Sequence, residues 1–385
     1  MATPRSLNPF RLLATNRNFR LFWAGQTLSL IGTWMQSMAQ GWLALELTNS
    51  ALVVGAVSAI GSLPIVFLSL PAGALVDRTD KLRLVRAMQS LLLLEAALLW
   101  WFTWSGHLTI GWLLALALFN GVANAFEIPA RQAMMIDLVG RDELHAAIAL
   151  NSSGFNLARI IGPAIGAIVI RQFGIAWCFG LNALSYLAVL IGLALIVLPA
   201  WTPVTRAVSP TAEILAGLAY MRRTPAVAAI MLLVIVFSVL GIPYLTLMPI
   251  VARDILHLGA SGYGLLLTFV GVGGLTGALF LASAGHRVPR GRLLALSAYA
   301  FPVLLIALAL VRSPALAHPV LFLVGFMMIV NNALANSILQ AVVDDAFRGR
   351  VLAAYSFVVV GLSQLLGAIA AGSVAQTIGA DGAIG

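Results

Sequence analysis

The chain has 385 residues, of which 61% are hydrophobic and only 9% charged; 22 Lys and Arg against 13 Asp and Glu give a formal net charge of +9. A soluble domain of this size would have too little polar surface to stay in solution, so the composition excludes an ordinary water-soluble enzyme and points to a membrane protein. The basic residues lie in short loops and form no continuous face, which argues against a nucleic-acid partner, and the single cysteine, Cys178, excludes an internal disulfide or a cysteine-based metal site.

Eleven apolar runs follow one another, at roughly 20–45, 52–75, 84–105, 110–133, 145–170, 175–198, 226–250, 260–284, 293–311, 319–342 and 351–374, each long enough to cross about 30 Å of hydrocarbon as a helix. Of the 22 basic residues, Arg171, Arg253 and Arg312 fall on one set of alternate loops and Arg159 inside a run, while all the others crowd onto the opposite set. Short loops rich in Arg and Lys stay in the cytoplasm, so the N-terminus and the basic loops are expected there. The sole lysine, Lys81, has no glycine-rich phosphate-binding loop before it, so an ATP-driven motor is excluded. No cofactor is called for.

Polar residues recur at helical spacing inside several runs. The first carries Gln26, Ser29, Thr33, Gln36, Ser37 and Gln40, with Trp34 beside them and Glu46 at its outer end, where solvation is expected. The fourth carries Asn120, Asn124, Glu127 and Arg131, and the tenth Asn332, Asn336 and Gln340. Such stripes either line a water-filled cavity or bond neighbouring helices to one another. Trp34 could stack on an aromatic substrate or pack in the core. Glu127 stands four residues before Arg131 and reads as an ion pair or as a protonation site for coupling; Glu95, in the third run, and Glu46 are the other coupling candidates. Arg159, about midway along the fifth run, costs roughly 2.5–3.5 kcal/mol on insertion scales. It therefore calls for a carboxylate or helix-end carbonyls, or else serves to attract an anionic substrate. Gly154, Ala158, Gly162 and Gly166 leave one face of this run bare, and Pro163 permits a bend. That seam suits either a sliding contact or plain tight packing. Trp42, Trp100, Trp101, Trp104, Trp112 and Trp177 gather near the outer ends as an interfacial belt.

The chain also repeats itself at a shift of about 205–209 residues. Asn124, Gln132, Ala133 and Asp137 fall on Asn332, Gln340, Ala341 and Asp345, and Gly162 and Gly174 fall on Gly367 and Gly379. A parallel duplication of this kind builds one large class of secondary transporters. It divides the chain into an N-terminal six-helix bundle over 1–199, a cytoplasmic linker over 200–225 with a short surface helix near 212–223, and a C-terminal bundle over 226–385.

The stretch from Gly73 to Arg86 (GALVDRTDKLRLVR) resembles the signature loop of the major facilitator superfamily through Gly73, Asp77, Arg78, Lys81 and Arg83, with Asp80 at a frequent glycine position. Residues 156–166 (NLARIIGPAIG) are similar to the span-five motif of its antiporters, and residues 126–166 resemble the branch that holds the enterobactin exporter and drug-efflux proteins. The resemblance implies an all-α polytopic fold of two pseudo-symmetric helical bundles, with spans one, four, seven and ten around a central cavity. It implies a monomeric secondary transporter of a bacterial inner membrane, exporting a small amphipathic compound, siderophore-like or drug-like, in exchange for H+ by alternating access. Uptake by the same fold, or a membrane sensor or scaffold that has lost transport, are the alternatives. The loop at 73–86 would latch the cytoplasmic side in one state, through Asp77 and the basic residues pairing across the halves or with a helix end. A deep arginine usual in span four of such antiporters is replaced by Asn120, Gly121 and Asn124. Two six-span halves require twelve spans where eleven are visible, so the C-terminal bundle is expected to be truncated.

Overall fold

The structure, a computed structural model, describes residues 10–198, 210–284 and 288–385. Among these the chain is helical and has no strand. A short helix α1 (Phe10–Thr15) leads into α2 (Arg17–Thr48), α3 (Ala51–Arg78), α4 (Lys81–Trp104), α5 (Ile110–Phe173) and α6 (Ala176–Ala194). After α7 (Pro210–Arg223) come α8 (Pro225–Val236), α9 (Tyr244–Ile250), α10 (Ala260–Ala284), α11 (Arg290–Leu310), α12 (Pro314–Val342), α13 (Asp345–Ser356) and α14 (Ala368–Ile384). Eight described stretches are both long and apolar enough to cross a membrane, with α5 counted once although it carries two of the apolar runs. It doubles back at Gly140, whose φ of 75° and ψ of 174° need a residue without a Cβ.

Local chemistry explains why the helices start where they do. Asn16, Ser50, Asp80 and Thr109 each turn a side-chain oxygen onto backbone N–H groups in the first turn of α2, α3, α4 and α5. The seventh apolar run is less regular: π-helical turns at Phe237–Gly241 and Val251–Ile255 flank α9, and another spans Phe357–Gly367. π turns arise where an extra residue is fitted into a helix, commonly at a functional position.

The repeat is visible in the backbone. Asn49 (φ 50°) and His257 (φ 52°), the two non-glycine residues of positive φ among those described, stand at the ends of the first and seventh runs. Gly174 (φ 89°, ψ 164°) and Gly379 (φ 87°, ψ 161°) share one unusual conformation after the fifth and eleventh.

The core is continuous at one end of the molecule and divided at the other. A single cluster joins Met38, Leu45 and Phe179 of the first half to Leu247, Tyr263, Leu321 and Val324 of the second, towards the 49–50 and 257–259 connections. Towards the 79–80 and 343–344 connections, one cluster, with Phe19, Phe22, Met134 and Leu150, belongs wholly to the first half, and another, with Met231, Leu294, Leu334 and Leu339, wholly to the second. The halves therefore meet at one end and part at the other.

Candidate functional site

The polar stripe of α2 divides on folding. Gln26, Ser29 and Gln36 are buried; the Gln26 side-chain oxygen has no partner among the described residues, whereas Gln36 and Thr33 turn to α4 and α6 of the first half. The Gln36 amide donates to both carboxylate oxygens of Glu95 in α4, at 3.1 and 3.0 Å, and its own carbonyl oxygen accepts from Asn182 in α6 at 2.8 Å. Asn120 of α5 adds a third donor to Glu95 at 3.1 Å and accepts from Asn124 at 2.7 Å. Ser185 Oγ donates to Asn182 Oδ1 at 3.0 Å, and Thr33 lies 3.2 Å from the Tyr186 hydroxyl. The physical reason is plain. In a medium without water, polar side chains find one another before they face an empty lumen.

Glu95 is thus a fully buried acid held by three amide hydrogen bonds, with no basic residue within ion-pair distance among the described residues. Glu127 is different. Arg131 pairs with it at 2.8 Å and Gln89 donates to the same oxygen at 2.9 Å, so its charge is compensated on its own helix and from α4. Glu46 is exposed near the end of α2. Periodicity could not single out Gln89, but Asn182, Ser185 and Tyr186, at i, i+3 and i+4 in α6, form a stripe legible at helical spacing and missing from the sequence expectations.

Arg159 has neither of its expected structural partners: among the described residues no carboxylate lies within 4 Å of it and no carbonyl accepts from it, and its buried Nε is unbonded. One terminal nitrogen lies 2.6 Å from where a Cβ on Gly274 of α10 would sit, so the guanidinium crosses to the second half. Tyr244 of α9, whose buried hydroxyl also lacks a partner, is within electrostatic reach. Phe155, one turn before Arg159, is exposed and meets Trp34 edge-on, with ring centroids 5.7 Å apart.

The small-residue seam meets α2 of its own half. A Cβ at Gly154 would approach Thr27, one at Gly162 Trp34, and one at Gly166 Met38, while Ala158 is buried. The seam therefore does not carry the contact between halves. The opposite face of α5 does, where Pro163, Ile160 and Arg159 lie against Gly264, Gly271 and Gly274 of α10. The span-eight glycines serve this packing, a signal absent from the sequence expectations.

In the candidate latch, Lys81 pairs with Asp137 at 2.8 Å and Arg83 with Asp80 at 3.3 Å, both within the first half, in place of the pairing across the halves that was one expectation. Arg86 donates to the Leu193 carbonyl near the end of α6. Arg78 is exposed, and a Cβ at Gly73 would meet nothing within 4 Å, so Gly73 closes no helix contact in this state. The Asp77 side chain lies outside the described residues. In α12, Asn336 accepts from the exposed Gln340, and the Asn332 carbonyl accepts from Tyr355 at 2.9 Å. Gln40 is partly buried with an unbonded amide nitrogen.

A sequence profile of the family described as transmembrane secretion effector matches residues 5–385. The chain is 25% identical over 291 residues to the staphyloferrin A transporter of Staphylococcus aureus, covering 74% of this chain and 72% of that one. It is 24% identical over 239 residues to macrolide efflux protein A of Streptococcus pyogenes, covering 61% and 59% of the two chains. With the enterobactin exporter EntS of Escherichia coli it shares 28% over 240 residues, or 61% and 56%. Among solved structures, a bacterial homolog of the human lysosomal transporter Spinster, inward-facing and unoccupied, superposes over 96% of this chain and 83% of its own, with TM-score 0.75 at 12% identity. A point mutant of the nucleoside transporter NupG does so over 96% and 95%, with TM-score 0.75 at 13% identity. At such identities these two speak for the fold alone.

Proposed function

Since the chain belongs to the transmembrane secretion effector family, a branch of the major facilitator superfamily of membrane transporters, we propose that it is a secondary active exporter of a small amphipathic compound, siderophore-like or drug-like. The observation that carries this reading is the core that is continuous at one end and divided at the other. A site between the halves is then reachable from one side only, which is what alternating access requires. The basic loops border the open end, so that end faces the cytoplasm, where an exporter loads. The 1–199 and 226–385 bundles rock about the midplane, joined by the 200–225 linker, and the chain works as a monomer. The names of two relatives, an exporter and an efflux protein, favour this direction.

Glu95 is the coupling group in this reading, ahead of Glu127 and Glu46. A buried acid without a basic partner changes its charge whenever it takes up or releases H+, whereas Arg131 already compensates Glu127. Deleting the gene in its host and measuring retention of a panel of siderophores and lipophilic drugs tests the direction. Export predicts higher intracellular accumulation of at least one compound, and reduced accumulation of the transported compound would show uptake instead. Purified protein in liposomes should move that compound against its gradient when a pH gradient is imposed.

A further inference from the structure

We infer that Arg159 and Tyr244 form a receptor for the anionic head of the transported compound, a carboxylate or phenolate carried on an aromatic or apolar body. Four observations converge on it. The guanidinium is the one basic group within the apolar runs that reaches from the first half towards the second among the described residues, and its buried Nε has no acceptor. The Tyr244 hydroxyl, buried in the other half within electrostatic reach of the guanidinium, lacks a partner as well. Gly274 leaves the space that the guanidinium occupies, for a side chain there would displace it. Towards the divided end of the core, Phe155 is exposed and Trp34 partly exposed, so an apolar wall leads up to the charge.

The chemistry follows from the donor set. A guanidinium presents paired N–H groups that match the two oxygens of a carboxylate, and a phenol hydroxyl can donate a further bond to the same anion. An anion bound here would satisfy the donors that the protein leaves unbonded, and its body would rest against Trp34 and Phe155. Because Arg159 sits on the first half and Tyr244 on the second, one bound anion would touch both bundles and would be released when they part. This inference rests on the transport reading for its meaning, but binding tests it without flux.

The experiment uses the full-length protein purified in detergent in chloride-free buffer, titrated with 1-naphthoate, with its neutral isostere 1-naphthamide and with 1-naphthylmethylammonium. The wild type should bind the acid in preference to the amide and the ammonium. Arg159→Gln should weaken naphthoate by about 10- to 100-fold and leave naphthamide unchanged; Tyr244→Phe should weaken naphthoate less, and Arg159→Lys should recover part of the loss. Unchanged elution and melting profiles of these variants separate binding from folding. Equal affinity of the wild type for acid and amide, or naphthoate binding indifferent to both Arg159→Gln and Tyr244→Phe, would overturn the receptor. Selective naphthoate binding by a protein that moves nothing in liposomes would keep the receptor and defeat the transport reading; flux of other compounds without that selectivity would do the reverse.

Discussion

Glu95 shows how much one buried carboxylate asks of its neighbours. Three amide N–H bonds converge on it from Gln36 and Asn120, and those two amides are aligned in turn by Asn182 and Asn124. Truncation to alanine would leave these donors buried without an acceptor, at about 1–3 kcal/mol each, so Glu95→Ala should lower the melting temperature as well as activity. Glu95→Gln keeps the volume and carries no charge in any pH range. It should therefore fold, retain exchange of substrate between the two sides of a liposome, and lose acceleration by a pH gradient; gradient-driven flux at the wild-type rate would remove Glu95 from coupling. Glu127→Gln should chiefly free Arg131 from its ion pair and leave the pH response in place, measured in the same assay. The sequence marks both acids as candidates but ranks them the other way. Spacing tells that Glu127 shares a face with Arg131, whereas Gln36 and Glu95 lie on different helices and only packing brings them together.

Among the elements, the closest approaches are made where a glycine lets one helix touch another's backbone. A Cβ at Gly121 in α5 would overlap the Gly61 carbonyl oxygen of α3, and a Cβ at Gly325 in α12 would overlap the Val270 carbonyl oxygen of α10. These two contacts occupy matching places in the repeat, the second to fourth run in one half and the eighth to tenth in the other. Backbone cannot yield as a long side chain can, so Gly121→Val and Gly325→Val should each force the pair apart, costing about 1–3 kcal/mol or more. The measurement is the yield and melting temperature of purified protein, against Gly73→Val, where open space predicts no loss. Helices and the repeat were legible because each is written in local pattern, the apolar runs by their length and the repeat by its shared shift. What the seam of Gly154, Gly162 and Gly166 would touch was not legible. A bare helix face admits a neighbour without naming it, and here the neighbour is α2 of the same half, while Pro163 and Arg159 on the other face of α5 meet the second half.

At the scale of the whole molecule, the state adopted depends on what holds the joined end together. There Arg253, paired with the adjacent Asp254 at 2.6 Å, donates to Asn49 Oδ1 at 2.6 Å and to the Leu45 carbonyl at 3.4 Å, so a cation from the second half closes over the C-terminal end of α2. Ser50 Oγ donates to Gln376 at 3.1 Å, a second link between the halves at the same level. Under these bonds the mixed core supplies most of the cohesion, since apolar burial is broad whereas the polar links are few. Removing the clamp should therefore bias the equilibrium without abolishing it. A net hydrogen bond to a charged group contributes about 1.5–3 kcal/mol, so Arg253→Ala should enlarge the population parted at this end by roughly tenfold or more. With Cys178 replaced by alanine, cysteines introduced at Ser50 and Gln376 report the closed end by cross-linking, and adding Arg253→Ala should slow that reaction markedly. Reagent that cannot cross the membrane should at the same time reach the Ser50→Cys site faster in intact cells. If cross-linking and labelling are both unaffected by Arg253→Ala, the apolar core alone sets the balance between the states, and the polar clamp only decorates a closure made by packing.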